Sequence, residues 1–162
     1  MRSVTPIDHN KITKLLDEAF APSRYESTLV TRLRAHGKSI KEWVVEDECG
    51  LVGYICYSNA FRGKDLIGYH LAPIAVRRDA QKKGIGSSLI LDSLAIIGDG
   101  QAPVFVLGDS EYYRRFGFIP IKSPTCPFDP KNEYFMAFRW NECSPFTIGY
   151  EEEFHSHPIA LA

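Results

Sequence analysis

The apolar positions change period along the chain. Ile12, Leu15, Leu16, Ala19 and Phe20 recur at helical spacing, which predicts a helix with one buried stripe. Thr5-Pro6 starts it, with Thr as N-cap and Pro in the first turn, and Pro22 ends it. Leu29, Val30 and Leu33 mark a second helix, Ser27 to His36, stopped by Gly37. The period then shortens. EWVVEDECGLVGYICY, residues 42–57, reads as a β-hairpin whose strands Trp43–Glu46 and Leu51–Tyr57 flank a polar turn ending in Gly50. Residues 66–76 predict a further strand, in which Pro73 removes a ladder bond or forces a bulge. A helix carrying Ile90, Leu94 and Ile97 on one face follows Gly86 and stops at Gly98-Asp99-Gly100. Val104–Leu107 is apolar throughout, the pattern of a strand buried on both faces. Ser110 is placed to cap a short helix, Glu111 to Phe116, closed by Gly117. Pro124, Pro127 and Pro130 make Ser123–Asn132 a loop, and Glu133–Trp140 and Phe146–Tyr150 predict closing strands. This order gives an α/β (α+β) fold, a mixed sheet with helices on both faces, as one domain over residues 1–162.

Composition narrows the function. The chain has 162 residues, 44% of them hydrophobic and 24% charged, which is ordinary for a soluble globular domain. A formal net charge of -1 argues against a general nucleic-acid binder. No apolar run approaches the roughly 20 residues of a membrane span, and MRSVTPIDHN lacks a signal peptide's apolar segment. Cys49, Cys56, Cys126 and Cys143 form no C-x-x-C pair and have no histidine at zinc spacing. They read as free thiols of a cytoplasmic protein without a metal. Cys126 has no evident activating partner, which gives no basis for a covalent route. His155-Ser156-His157 reads as a solvated tail.

The chemistry concentrates in YHLAPIAVRRDAQKKGIGSS, residues 69–88. An apolar strand leads through a basic loop, with Arg77, Arg78, Lys82 and Lys83, to Gly84-Ile85-Gly86 at a helix start. Glycines there let an anion approach the backbone, and successive N–H groups with the helix dipole favour negative charge. A P-loop is excluded because Gly-Lys-Ser/Thr is absent. A dinucleotide turn fits poorly: Leu89 occupies the third glycine position, and seven residues separate Val76 from Gly84. The bland alternative is a solvated basic turn with no ligand.

LAPIAVRRDAQKKGIGSSLI resembles motif A of the GNAT superfamily of N-acetyltransferases, with Gln81, Gly84 and Gly86 at the specified positions of Gln/Arg-x-x-Gly-x-Gly/Ala. LGDSEYYRRFGFIP is similar to motif B, and IDHNKITKLLDEAF to the family's first helix. YYRRFGF and the late EYFMAF resemble a bacterial branch of predicted acetyltransferases. The resemblance implies a mostly antiparallel sheet with one splayed parallel strand pair, opened near Pro73. It also implies acetyl-CoA as cosubstrate. The diphosphate would lie on the amides of Lys82, Lys83, Gly84, Ile85, Gly86 and Ser87, beside Gln81. Backbone groups of Ile74, Ala75 and Val76 would pair with the pantetheine arm like an added strand.

Direct transfer to an amine needs a proton acceptor for the amine, a donor for the developing oxyanion and an acid for the leaving thiolate. A backbone N–H near Ala75 or Val76 suits the oxyanion. The resemblance places the acid at Tyr113, four residues before Gly117, with Tyr112 beside it as a packing residue. His70 and Asp109 are equal candidates for the base. A lone strand histidine is more often structural, and an aspartate at a strand end more often a cap. Two functions fit: an N-acetyltransferase acting on a small-molecule or peptide amine, or a non-catalytic acyl-CoA sensor on the same fold. Both fit a monomer or a homodimer. Arg24, Arg32, Arg34, Arg62 and Lys64, in segments that shape the acceptor site in relatives, read as solvated charge or as partners for an anionic acceptor.

Overall fold

The computed structural model describes residues 1–156. Residues 157–162, with His157 and the last part of the expected domain, lie outside the described residues. Strand β1 (Arg2–Ser3) precedes helices α1 (His9–Ala19) and α2 (Tyr25–Ala35). Then come β2 (Lys41–Asp47), β3 (Gly50–Arg62), β4 (Asp65–Val76), α3 (Ile85–Ile96), β5 (Val104–Leu107), α4 (Ser110–Arg114), β6 (Ile119–Pro120) and β7 (Phe135–Phe138). The strands form a seven-stranded sheet in the order β1-β2-β3-β4-β5-β7-β6. The β4–β5 pair is parallel and the others are antiparallel.

Strand alternation sends two sets of side chains to opposite faces. Val44, Tyr54 and Cys56 meet Ile12, Leu15, Leu16 and Val30 of α1 and α2. Ile55, Tyr57, Leu71, Val104 and Val106 meet Leu89, Ile90 and Leu94 of α3. Between the faces runs β5, buried at each of its residues, as its unbroken apolar run predicts. Phe105 and Leu107 point away from α3 and pack with Phe135 and Ile148.

The parallel pair is short. Its register holds at Tyr69↔Val104 and His70↔Phe105 only. Beyond His70, β4 keeps its ladder to β3 but shifts register between Ile55 and Tyr57, opposite Ala72-Pro73. Pro73 cannot donate to a ladder, so the irregularity falls where the proline sits. From there to Val76 the edge of β4 facing β5 is unpaired, and the two strands diverge as a fork.

Three local expectations are corrected. Phe146–Tyr150 makes only isolated bridges, Thr125↔Thr147 and Phe61↔Gly149; the outer strand is instead the two-residue β6. The cap of α4 is Asp109, not Ser110, because its carboxylate accepts from Glu111 N at 2.9 Å. At the start of α1, the Asp8 carboxylate turns back to Thr5 N at 2.9 Å and pairs with Arg2, so a 3₁₀ turn over Pro6–Asp8 precedes the helix.

Candidate active site

A groove of about 670 Å³ opens on the α3 face of the fork. Ile74, Ala75 and Val76 of β4, the loop residues Gln81, Lys82, Gly84, Ile85, Gly86 and Ser87, and Asp109 and Tyr113 all line it. Lys83 and His70 do not line it. Gln81 anchors the loop: its Nε2 donates to Val76 O at 3.1 Å, which ties the loop to the end of β4.

The loop presents its amides. Among the described residues no backbone acceptor pairs with the N–H groups of residues 82–87, and the first helical bond of α3 is Ser88 N to Gly84 O at 2.9 Å. Six unpaired donors therefore gather at the N-terminus of a twelve-residue helix. Lys82 and Gly84 take positive φ, 61° and 82°, a left-handed turning of the kind with which a backbone can present successive N–H groups to one anion. Gly86 is a glycine for another reason. Its φ is not positive, and its reason is space: a Cβ there would stand 2.9 Å from the Tyr112 hydroxyl and 3.5 Å from Val76 Cγ2.

The cations of the segment divide. Arg77 reaches Asp47 at 2.8 Å and Asp79 at 2.6 Å, so it braces the loop. Lys82 lines the groove. Arg115 does too, its guanidinium 4.6 Å from the Tyr112 ring and its Nε donating to Tyr112 O at 3.2 Å. Neither Tyr112 nor Arg115 stood out as a site residue in the sequence. Their signal was the i, i+3 spacing from α4 to its C-cap Arg115, which puts both on the side turned to the glycine loop.

Tyr113 lies under the groove, packed among Phe118, Tyr112 and the α3 face of the core. Burial pushes its phenol well above the ordinary value, with Tyr112, Tyr57 and Asp109 adding to the shift. It therefore stays protonated and able to donate at neutral pH. Asp109, also at the groove, spends one carboxylate oxygen on the α4 cap.

His70 belongs to the opposite face. It is 2% exposed, stacked on Tyr150 at 3.6 Å between centroids. Burial lowers its pKa to about 3, against a smaller opposing effect of the Gly149 carbonyl. The ring is neutral at physiological pH. Nε2 lies 3.0 Å from Gly149 O; a carbonyl only accepts, so Nε2 carries the proton. Nδ1, then a lone-pair acceptor, has no partner among the described residues.

Among the described residues no cluster of His, Cys, Asp and Glu could hold a metal ion, and no helix is long and apolar enough to cross a membrane. The four cysteines are unpaired, with Cys49 and Cys143 exposed and Cys56 and Cys126 buried. His155 is part of a 3₁₀ turn rather than a free tail, its ring 5.2 Å from Phe128.

A fork in a mixed sheet, with a free strand edge and an amide cradle on one side, defines an acyl-CoA N-acyltransferase fold. Residues 39–120 match the family model of the acetyltransferase (GNAT) domain. Over 121 residues, 73% of this chain and 72% of the relative, the sequence is 35% identical to YhbS of Escherichia coli, named as an uncharacterized N-acetyltransferase. The crystal structure of E. coli YhbS in complex with CoA superposes with a TM-score of 0.84 at 31% identity, covering 95% of this chain and 90% of that one. A GNAT family acetyltransferase from Brucella melitensis in complex with acetyl-CoA gives 0.79 at 29% identity, covering 94% and 96%. The chain belongs to the GNAT family of acetyltransferases.

Proposed function

We propose that this protein transfers the acetyl group of acetyl-CoA directly to an acceptor amine. The observation that carries the reading is the set of unpaired amides at residues 82–87 beside the free edge of β4. The cradle fits a diphosphate: donors without a backbone partner lie at a helix N-terminus, and the space that a Cβ on Gly86 would fill is kept open. The free edge of Ile74–Val76 fits the amide-bearing pantetheine arm, which can pair with it as a strand does. Two similar structures, from E. coli and B. melitensis, hold CoA and acetyl-CoA.

Bound acetyl-CoA would supply an activated acetyl group as a thioester. The residues of this chain do the rest. Backbone N–H groups of the unpaired β4 edge near Ala75 donate where negative charge develops on the acetyl oxygen. Tyr113, protonated and at the groove, donates to the departing sulfur. A direct route agrees with the cysteines: the Cys126 thiol lies 3.5 Å from the Tyr150 hydroxyl and is pushed up by burial, the reverse of an activated nucleophile. His70, neutral and outside the groove, takes no part in the proton transfer. Asp109 is the carboxylate at the groove, and one of its oxygens is free of the cap.

A melting experiment separates this reading from its rivals. Acetyl-CoA at 100 times its Kd adds about 2.7 kcal/mol to stability, a rise of roughly 5–10 °C for a chain of this size. NAD should give none. Thiol release with an amine panel then distinguishes an enzyme from a non-catalytic sensor, which would show the melting shift alone.

A further inference from the structure

The amide cradle has little of its own to hold it in place. Among the described residues no backbone acceptor pairs with the N–H groups of residues 82–87, so the position of the loop is inherited from its two flanks. On one side, α3 is seated in the core by Leu89, Ile90 and Leu94. On the other, the chain leaves β4 with Arg77 N donating to Val52 O at 2.8 Å. It then turns through a 3₁₀ helix, Arg78–Ala80, where Ala80 N donates to Arg77 O at 2.9 Å. Arg77 is thus the residue at which strand becomes loop.

The Arg77 side chain reaches back to the β2–β3 hairpin. Nη2 and Nη1 donate to the two oxygens of Asp47, at 2.8 and 3.4 Å, and Nη1 also to Leu51 O at 3.4 Å. Nε and Nη2 donate to the two oxygens of Asp79, at 2.6 and 3.1 Å. Both pairs are forked, a geometry that fixes orientation as well as distance. Asp47 is itself oriented, because its Oδ1 accepts from Cys49 N at 2.7 Å in the hairpin turn. Hydrogen bonds from Arg77 hold both carboxyls below the ordinary carboxylate range, so both are charged at neutral pH. The trio then carries one net negative charge and offers no attraction to a diphosphate. Neither Asp47 nor Arg77 lines the groove, and Arg77 lines a separate open space with Leu15, Asp17 and Arg24. A basic residue beside an anion loop is ordinarily read as a phosphate ligand; here its donors are spent on the protein.

We propose that Asp47 and Arg77 are positioning residues for CoA: with Asp79 they fasten the end of β4 and the 3₁₀ turn to the β2–β3 hairpin, and so set where the amide cradle stands relative to the free edge of β4. Neither residue touches the ligand. Hydrogen bonds weaken steeply as a donor turns away, so a small swing of residues 77–81 costs affinity although every amide is still present. Exposed ion pairs contribute little to global stability, and Asp47 and Asp79 are 42% and 69% exposed. The brace therefore acts on ligand affinity far more than on the folding of the chain.

The inference rests on CoA binding at the groove, so the free protein is read as well. The Kd for CoA is measured by calorimetry at roughly 0.15 M salt, where the Debye length is about 8 Å, on the wild type, Asp47→Asn, Arg77→Met and the double variant. Asparagine keeps an acceptor for Cys49 N, and with it the hairpin turn. Asp47→Asn should raise the Kd at least threefold, with Tm within a few degrees of the wild type. Arg77→Met should raise it at least tenfold, and adding Asp47→Asn to it should cost no more than a further twofold, because coupled residues are not additive. In the unliganded protein, the amide resonances of Lys82–Ser87 should move in Asp47→Asn. The sign is decisive. Were Arg77 a ligand of the phosphates, loss of the Asp47 charge would free it and CoA would bind more tightly. Unchanged or tighter binding in Asp47→Asn overturns the proposal, as does a double variant whose loss is the product of the single ones. If Arg77→Met fails to fold, Asp47→Asn decides alone. A wild type that does not bind CoA would refute the transferase reading. The amide shifts of Lys82–Ser87 in Asp47→Asn would then still uphold the brace, and shifts confined to residues 46–52 and 76–81 would overturn it.

Discussion

The hydroxyl of Tyr112 stands 2.9 Å from the point that a Cβ on Gly86 would occupy. A side chain from one helix thus keeps a second helix's first turn bare, and what it keeps bare is the amide cradle. The obstruction is the far end of a flexible ring, so a small residue at Gly86 can push it aside without unfolding the protein. Gly86→Val is therefore expected to raise the Kd for CoA at least tenfold while moving Tm by no more than a few degrees. Calorimetric titration and a melting curve on the same sample check both halves.

Tyr113→Phe removes the acid and keeps the ring that packs on Phe118. A positioned acid is worth about 10²–10⁴ in rate. We expect kcat to fall by at least tenfold with the Kd for CoA within twofold. Unchanged kcat would remove Tyr113 from the mechanism and turn attention to Tyr112, whose ring lines the groove as well.

His70 ties stability to pH. Its folded pKa is about 3 against an ordinary 6.5. Between those values the unfolded chain binds a proton that the folded chain does not. This contribution is therefore complete above pH 6.5 and is lost as the pH falls toward 3, at up to about 1.4 kcal/mol per pH unit. Urea unfolding between pH 7 and 5 should show the fall in the wild type and a shallower one in His70→Phe, where the ring still stacks on Tyr150.

Arg34 and Glu42 form a largely buried pair, 14% and 11% exposed, with Arg34 Nε 3.1 Å from Glu42 Oε1 and the Tyr54 hydroxyl donating to the same carboxylate at 2.7 Å. Arg34→Met strands that charge and is expected to destabilise by about 3 kcal/mol. Glu42→Gln added to it should recover part of the loss. Denaturant midpoints on the two variants measure it.

Much of this was legible in the chain, because period and glycine placement report backbone geometry directly. Both helices, the hairpin, the Pro73 irregularity and the doubly buried β5 follow from which positions are apolar. The segment around Phe146 was misread because its aromatic residues pack as loop side chains, as Trp140 and Phe146 do at 6.1 Å; apolar alternation does not tell such a loop from a strand. Asp109 and Ser110 both suit an N-cap, and only the hydrogen bond to Glu111 N chooses between them. The site divided in the same way. The cradle is local in sequence and could be read. A second, apolar cavity on the other face of the fork is lined from α2, β4, β5 and the C-terminal turn, and segments so distant in the chain leave no local signature in the sequence.

The central claim is that the main-chain amides of residues 82–87 hold the diphosphate of CoA. Backbone amide NMR during titration with CoA measures it group by group. The account predicts that the largest shift changes fall on Lys82 to Ser87, with a second set on Ile74 to Val76, and that NAD leaves both unmoved. Saturable CoA binding that leaves the Lys82–Ser87 amides unshifted, or shifts there with NAD and none with CoA, would contradict it.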